Sequence, residues 1–440
     1  MQTPAKRSVI KTIIAVAALL VLSFGSVVQA ELEIEITRGR ESATPIAIIP
    51  FDWQSTQPQS ETDVAKVIGD DLARSGLFRT VREADLIERP NSFSDIRFGT
   101  WRLLDVNYLL IGRIKDQAPA YSVEFELYDI ASEQRVAGYA LPVRAGALRD
   151  AAHQVADLVY EALTGTPGAF STRIAYVTAS QTADGLRYRL EVADADGYRP
   201  RSIVESREPL LSPAWSPDGR QLAYVSFESG NSSVYLQEIA TGSRSRIASH
   251  KGINGAPAFS PDGKQLALAL SKTGNLEIYV MDLGTGGLRQ LTNHWGIDTE
   301  PVWTDDGQSV IFTSDRGGKP QLYQVAINSG TPRRITREGD YNARATIAPG
   351  KGLIAMAHGV GNVYRIAVLN TETGLLQIVS DGTLDESPSF APNGSMILYA
   401  SREGMQGVLS AVSADGRVRQ RLILSGGDVR EPAWSPLPRR

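Results

Sequence analysis

The chain contains no cysteine. Disulfide staples, thiol nucleophiles and Cys-ligated metal centres are therefore excluded, and stability must come from buried apolar surface. Histidine is also scarce: His153, His250, His294 and His358 are the four in 440 residues. None stands in an H-E-x-x-H or other close metal-ligand spacing. His250 and His294 fall in corresponding loops of successive repeats, a weak ligand signal because loop histidines are common. No G-x-S-x-G occurs, and residues 31–165 carry neither a G-x-G-x-x-G nor a Walker sequence. Serine hydrolysis of the propeller-peptidase type and nucleotide binding thus lack their signatures. Charge of one sign is missing too: with a net charge of −4 and 21% charged residues, no polyanion such as nucleic acid is an expected partner.

Long apolar runs are confined to the start. Lys6, Arg7 and Lys11 precede an apolar stretch from Ile13 to Phe24, and Val28-Gln29-Ala30 resembles a small-residue cleavage site. Residues 1–30 read as a cleaved signal peptide, leaving Glu31 as the mature N-terminus. An uncleaved anchor is the other reading, and the stretch is short for a membrane span. With no cysteine after the site, the chain is not an acylated lipoprotein.

What is present is a repeat. Its copies are Pro213-Ala-Trp-Ser-Pro-Asp-Gly219, Pro257-Ala-Phe-Ser-Pro-Asp-Gly263, Pro301-Val-Trp-Thr-Asp-Asp-Gly307, Arg344-Ala-Thr-Ile-Ala-Pro-Gly350, Pro388-Ser-Phe-Ala-Pro-Asn-Gly394 and Pro432-Ala-Trp-Ser-Pro-Leu-Pro438. They begin 43 or 44 residues apart, and the fourth has lost its proline and its aromatic residue. A period of this length made of short strands marks a β-propeller. In the second copy, Ala258-Phe259-Ser260 is a strand and Pro261-Asp262-Gly263-Lys264 a turn, with Gly supplying positive φ. Leu266 to Leu270, Leu276 to Met281 and Leu288 to Thr292 complete a four-stranded blade. The first second-type strand, Ile174 to Thr178, has no first strand before it, and the last first strand, Pro432 to Ser435, has almost nothing after it. Joining these ends closes a ring of six blades and leaves no edge to propagate.

Residues 31–165 lack the period. A strand at Pro45–Phe51, a helix from Thr62 to Arg74, strands at 107–114, 122–129 and 135–142, and an amphipathic helix from Leu148 to Leu163 make a small α/β domain. Residues 166–171 are a linker, and 172–440 the propeller. The predicted class is mainly β, a six-bladed propeller preceded by a small α/β domain. Glu31-Leu32-Glu33-Ile34-Glu35-Ile36-Thr37 alternates acids with aliphatics. It reads either as an ordinary first strand or as a strand that adds to another sheet.

Antiparallel connectivity sorts the loops. First-to-second and third-to-fourth turns share one face of the propeller and are short. Second-to-third loops and loops between blades share the other face and are longer and more varied, as binding loops on a rigid scaffold are. Residues just before the first strands, Glu208, Asn254, Ala256, Thr299, Glu300, Glu386 and Glu431, are expected at the channel mouth. Several are acidic, so the mouth is suited to a basic partner or a cation in the channel.

Taken together, the leader, the α/β domain and the P-A-[WF]-S-P-D-G repeats resemble the TolB family, periplasmic components of the Tol–Pal system of Gram-negative bacteria. The closest stretch runs from Asn254-Gly255-Ala256-Pro257 through Leu270-Ser271-Lys272-Thr273-Gly274-Asn275 to Tyr279-Val280-Met281-Asp282-Leu283. Thr299-Glu300-Pro301, Asp385-Glu386-Ser387-Pro388 and Pro432-Ala433-Trp434-Ser435-Pro436 also fit, and the likeness covers the mature chain. The resemblance implies a monomeric, non-enzymatic scaffold with no cofactor. Its propeller mouth would bind the Pal lipoprotein through His250, Ile253, Asn254, Ala256, Thr299 and Glu300, with Glu208, Glu386 and Glu431 on the acidic rim. Its mature N-terminus, Glu31 to Thr37, would bind the TolA C-terminal domain. Pal binding would favour a state with that segment tucked away, and its release would expose it to TolA. Other outer-membrane lipoproteins or colicins are further partners implied by the family. One position departs: where the family often has His before Asn-Gly-Ala-Pro, this chain has Ile253, so a polar contact there is lost or supplied by His250. A propeller enzyme or sugar-binding protein using the acidic mouth, and a purely structural outer-membrane assembly component, are the competing readings.

Overall fold

The computed structural model describes residues 32–38, 42–117, 120–424 and 427–438. The leader (1–30) and Glu31 lie outside the described residues.

The N-terminal α/β domain is built on β2 (Thr44–Ile48), β3 (Asp52–Gln54), β4 (Phe78–Thr80), β5 (Tyr108–Gln117), β6 (Ala120–Asp129) and β7 (Gln134–Val143). The sheet order is β4-β2-β5-β6-β7, with β3 also on β5. β2 runs parallel to β4 and β5, whereas β5, β6 and β7 form an antiparallel meander. Helix Val64–Arg74 begins at Asp63, whose carboxylate accepts from the Lys66 amide at 2.9 Å, satisfying a donor the first turn leaves free. Helix Leu148–Thr164 stops at Gly165, which adopts φ 71° as its C-terminal cap. The two helices cover one sheet face, burying Ile68, Leu72, Val155 and Val159 against Leu110, Val123 and Phe125. Trp101 and Phe98, on the short helix Phe98–Leu103, cover the other face with Ile111 and Tyr128.

Six four-stranded antiparallel blades follow. Blade one joins β31 (Asp428–Trp434) to β8 (Arg173–Thr182), β9 (Gly185–Asp194) and β10 (Arg201–Ser206). Blade two is β11 (Leu210–Trp215), β12 (Gln221–Ser226), β13 (Ser233–Glu238) and β14 (Arg244–Ala248). Blade three is β15 (Asn254–Phe259), β16 (Gln265–Leu270), β17 (Glu277–Asp282) and β18 (Leu288–Gln290). Blade four is β19 (Asp298–Trp303), β20 (Ser309–Ser314), β21 (Gln321–Ala326) and β22 (Ser329–Arg334). Blade five is β23 (Tyr341–Ala348), β24 (Leu353–Val360), β25 (Val363–Asn370) and β26 (Leu376–Ile378). Blade six is β27 (Glu386–Phe390), β28 (Met396–Glu403), β29 (Gln406–Ser413) and β30 (Arg419–Leu424). The expected closure is present: the C-terminal strand pairs antiparallel with β8, so the ring has no open end.

The repeat phrase explains the blade. In Ser216-Pro-Asp-Gly219, the serine hydroxyl donates to Asp218 at 2.6 Å and accepts from the Gln221 amide, while Gly219 takes φ 69°. The aromatic residue before that turn reaches the neighbouring blade. Trp215 Nε1 donates to the Ala433 carbonyl and Trp303 Nε1 to the Ala258 carbonyl, both at 3.0 Å.

Two readings of the sequence need correction. The segment from Leu32 is not the first strand of the α/β domain. As β1 (Leu32–Arg38) it is a fifth, outermost strand of blade six, antiparallel to β30. The fourth repeat phrase is also one residue out of step. Arg344 corresponds to the residue before the proline, not to the proline, and Ile347 occupies the aromatic position. Ile347 pairs with Ile354 as Trp215 pairs with Leu222 and Trp303 with Val310.

Candidate functional site at the propeller mouth

Each first strand carries a bulge at its inner end, and one non-glycine residue in each bulge is left-handed. These are Ser212, Ala256, Glu300, Arg344, Ser387 and Glu431, with φ from 47° to 55°. The register slips at each: between Leu211 and Ala214, Gly255 and Ala258, Thr299 and Val302, Ala343 and Thr346, Glu386 and Ser389, and Arg430 and Ala433. Bulges of this kind re-aim a side chain. Here they turn six residues, one per blade, toward the channel, where with the five prolines and Ala345 that follow them they line a cavity of about 130 Å³.

Charge in this ring is paired internally. Arg344 Nε lies 2.7 Å from Glu300, and its two terminal nitrogens bind Glu431 at 2.8 and 3.0 Å. Ser387 Oγ also accepts from Arg344. Glu300 further accepts from Thr313 Oγ1 at 2.9 Å and from the Arg344 amide at 3.1 Å. Burial works against the guanidinium's charge, but Glu431 and Glu300 outweigh it and hold its pKa above the usual value. The acidic mouth expected from the sequence is therefore bridged by an arginine at the point a cation would occupy.

The expected site residues separate into classes. Ala256, Glu300 and Glu431 line the channel. Glu208 and Glu386 are exposed but lie outside that lining, because the left-handed residue of each bulge, not the residues before it, faces inward. Thr299 is half-buried. Asn254 is 0% exposed. Its amide accepts from the His250 amide at 2.7 Å and donates to the carbonyls of Ser232, His250 and Gly252. It stands two residues before the left-handed position, where Asp298, Asn342 and Asp385 are likewise 0% exposed in the next three blades. A buried amide or carboxylate here ties down the preceding loop, as Asn342 does through the Glu338 carbonyl at 2.7 Å. His250 is partly buried and Ile253 is 54% exposed on the same loop.

Sequence reasoning missed the apolar character of this face. Leu186, Leu211, Ile253, Trp295, Ile297, Val360, Val363, Leu384 and Met405 are all exposed, and all sit on second-to-third or interblade loops or on the strand ends that flank them. Trp295 is 76% and Met405 90% exposed. Among the described propeller residues only Tyr198, Leu375 and Ile378 are large, apolar and exposed elsewhere. A tryptophan between His294 and Gly296 in a loop was the available signal. Exposed apolar groups gathered on one face mark an interaction surface.

The second element is the domain junction. β1 pairs Ile34 with Leu422 and Ile36 with Gln420. Gln420 Nε2 in turn donates to the Arg74 carbonyl at the end of helix Val64–Arg74. Arg74 bonds the Ala195 carbonyl at 2.8 Å and Asp71 at 2.5 Å. His153 Nδ1 meets Asp71 at 2.6 Å, and its Nε2 faces Asp196 of the propeller at 3.8 Å. Asp71, His153 and Asp196 are close enough to suggest a metal site. Arg74 and Arg149 already neutralise the two carboxylates, so the arrangement is an ion network joining the domains. Asp157 completes the junction by accepting from the Phe170 amide at 2.7 Å and from Ser171.

Among the described residues no helix is long and apolar enough to cross a membrane. Two family profiles match the chain: "TolB amino-terminal domain" over residues 32–136 and "TolB beta propeller domain" over 160–438. A Tol-Pal system protein TolB from Xanthomonas oryzae pv. oryzae is 60% identical over 96% of this chain and 97% of that one. The protein of the same name from Xanthomonas axonopodis pv. citri is also 60% identical with the same coverage. A crystal structure of TolB from Acinetobacter baumannii superposes with a TM-score of 0.86 at 43% identity, covering 92% of this chain and 100% of that one.

Proposed function

The chain belongs to the TolB family of the Tol-Pal system, and from that membership we propose a non-enzymatic periplasmic scaffold with two partner sites. The loop-bearing propeller face binds the Pal lipoprotein. The N-terminal segment, residues 31–37, binds the C-terminal domain of TolA. Through these contacts the protein couples outer membrane, peptidoglycan and inner membrane, for envelope integrity and constriction at division.

The observation that carries the reading is β1. It is held as an added strand on one edge of β30. Strand addition is a reversible recognition mode. A partner sheet offering comparable pairing competes with blade six for the same strand, which a two-state switch requires. The exposed apolar loops supply the second surface. A sugar-binding or catalytic mouth is less well supported. Ligand pockets run to roughly 300–1,000 Å³, whereas the mouth cavity is about 130 Å³ and its charges are paired.

The test compares residues 31–440 with residues 39–440 for binding to the periplasmic part of Pal and to the TolA C-terminal domain. The expected result is that both forms bind Pal and only the longer binds TolA. Absence of Pal binding by either form overturns the reading.

A further inference from the structure

The junction between blades four and five is unlike the others. At other positions in the ring the first strand carries Trp215, Phe259, Trp303, Phe390 or Trp434. Trp303 shows what such a ring does: it packs between blades three and four with Ala267, Ile278, Leu291, Val310 and Phe312. Blade five has Ile347 at that position. An aliphatic side chain there is smaller and shorter than an indole and cannot span the gap. A cleft of about 830 Å³ opens at this junction, floored by Ile311, Ile335, Ile347, Ile354, Leu369 and Leu376. That volume falls within the range of small-molecule sites, roughly 300–1,000 Å³.

Its walls are unevenly charged. Arg333, Arg334 and Arg337 line one side. Arg333 bonds the Gln324 side-chain carbonyl at 2.9 Å, and Arg334 the Thr336 carbonyl at 2.6 Å. Both acceptors are neutral, and among the described residues none of the three guanidiniums has an ion pair. Of the lining carboxylates, Asp305 accepts from the Gly350 amide at 2.8 Å. Asp306 accepts from Thr304 Oγ1 at 2.6 Å and the Gln308 amide at 3.0 Å. Glu338 is the remaining acid of the lining, adjacent in sequence to Arg337. The cleft thus joins an aliphatic floor to guanidinium donors that no carboxylate neutralises, a combination suited to a carboxylate or sulfonate on an apolar body.

We infer that the cleft between blades four and five binds a small anionic molecule bearing an aromatic ring. The ring enters the space that Trp or Phe fills at other junctions, and the anion meets Arg333, Arg334 and Arg337. The cleft shares no residue with the channel lining, Ile335, Thr336, Arg337 and Glu338 being its only contribution from the interblade loop at the edge of the loop-bearing face, and it is independent of the partner reading above.

The probe is 8-anilinonaphthalene-1-sulfonate, titrated into the mature chain by fluorescence and calorimetry. Saturable binding at one site per chain is expected, weakening as salt is raised. Ile347→Trp, which puts the ring back, should lower affinity by roughly tenfold or more while Pal binding is unchanged. A double variant, Arg333→Gln with Arg337→Gln, should lower affinity by roughly tenfold and flatten the salt dependence. Decyl sulfate, an anion without a ring, should compete poorly. No saturable binding, or a folded Ile347→Trp chain that binds as before, overturns the proposal. If Ile347→Trp does not fold, the double arginine variant decides: unchanged binding overturns it.

Discussion

Arg344 and Glu431 meet across the propeller mouth, guanidinium to carboxylate, at 2.8 and 3.0 Å. They come from blades five and one, 87 residues apart in the chain, and each is the left-handed residue of its bulge. With Glu300 on the other side of the arginine, the pair links three blades where their first strands converge.

Removing the arginine should therefore do more than lose a salt bridge. Arg344→Met leaves Glu300 and Glu431 facing each other without a counter-charge. Breaking a buried pair costs about 3–5 kcal/mol, and partial exposure of these groups reduces the expected loss to about 1–3 kcal/mol. The variant should regain stability on addition of Ca2+, whereas the parent should not. Thermal melts with and without the cation check both statements.

Asn254 separates a scaffolding role from a contact role. It is buried and its side-chain amide serves four backbone groups. Asn254→Ala should destabilise the chain by about 2–4 kcal/mol, since unmet buried polar groups cost about 1–3 kcal/mol each. Pal affinity should fall along with stability. Ile253→Ser, on the exposed neighbour, should weaken Pal binding with the melting temperature unchanged.

The domain junction should respond to pH. Burial alone would lower the His153 pKa, but the hydrogen bond and charge of Asp71 together with Asp196 raise it above 6.5. That contribution is complete below 6.5 and is lost as pH rises through the higher folded value. Asp157 is pushed by burial from 3.8 up to about 6. Its contribution is complete below 3.8 and is lost as pH rises through about 6. Both signs agree, so these two groups make stability decline as pH rises, Asp157 between 3.8 and about 6 and His153 above 6.5. His153→Gln should flatten the upper part of that decline in urea unfolding curves taken across the range.

Deleting residues 31–38 should uncover the edge of β30. Amides of residues 419–424 that β1 protects should exchange faster with deuterium. The shortened chain should also self-associate more readily at high concentration, since a free edge strand is a template for pairing. Unchanged exchange over 419–424 would mean that β1 does not occupy this edge in solution.

Much of the fold was legible because propeller blades are local objects. Five of the six copies carry a turn ending in glycine, Ser-Pro-Asp-Gly in two of them and a variant in the rest, so period and strand count lead directly to six blades and a closed ring. The small domain was readable for a similar reason: helix Leu148–Thr164 shows its apolar stripe at helical spacing. The face that carries the variable loops also followed from connectivity.

Tertiary structure decided what depends on residues far apart in the chain. Only the bulge geometry shows that Ser212, Ala256, Glu300, Arg344, Ser387 and Glu431 form the ring, and that Asn254 lies behind it. Arg344 looked like a decayed proline because motif matching follows similarity of letters, whereas register follows strand pairing. Alternation in residues 32–37 identified a strand, yet nothing local could name its partner, because an edge strand pairs with whichever free edge the folded chain brings near. The sequence by itself determined the blades, whose strand pairs, blade one's closing pair apart, lie within one repeat. The tertiary structure decided the mouth, the domain junction and the docking of β1, whose energies arise between repeats.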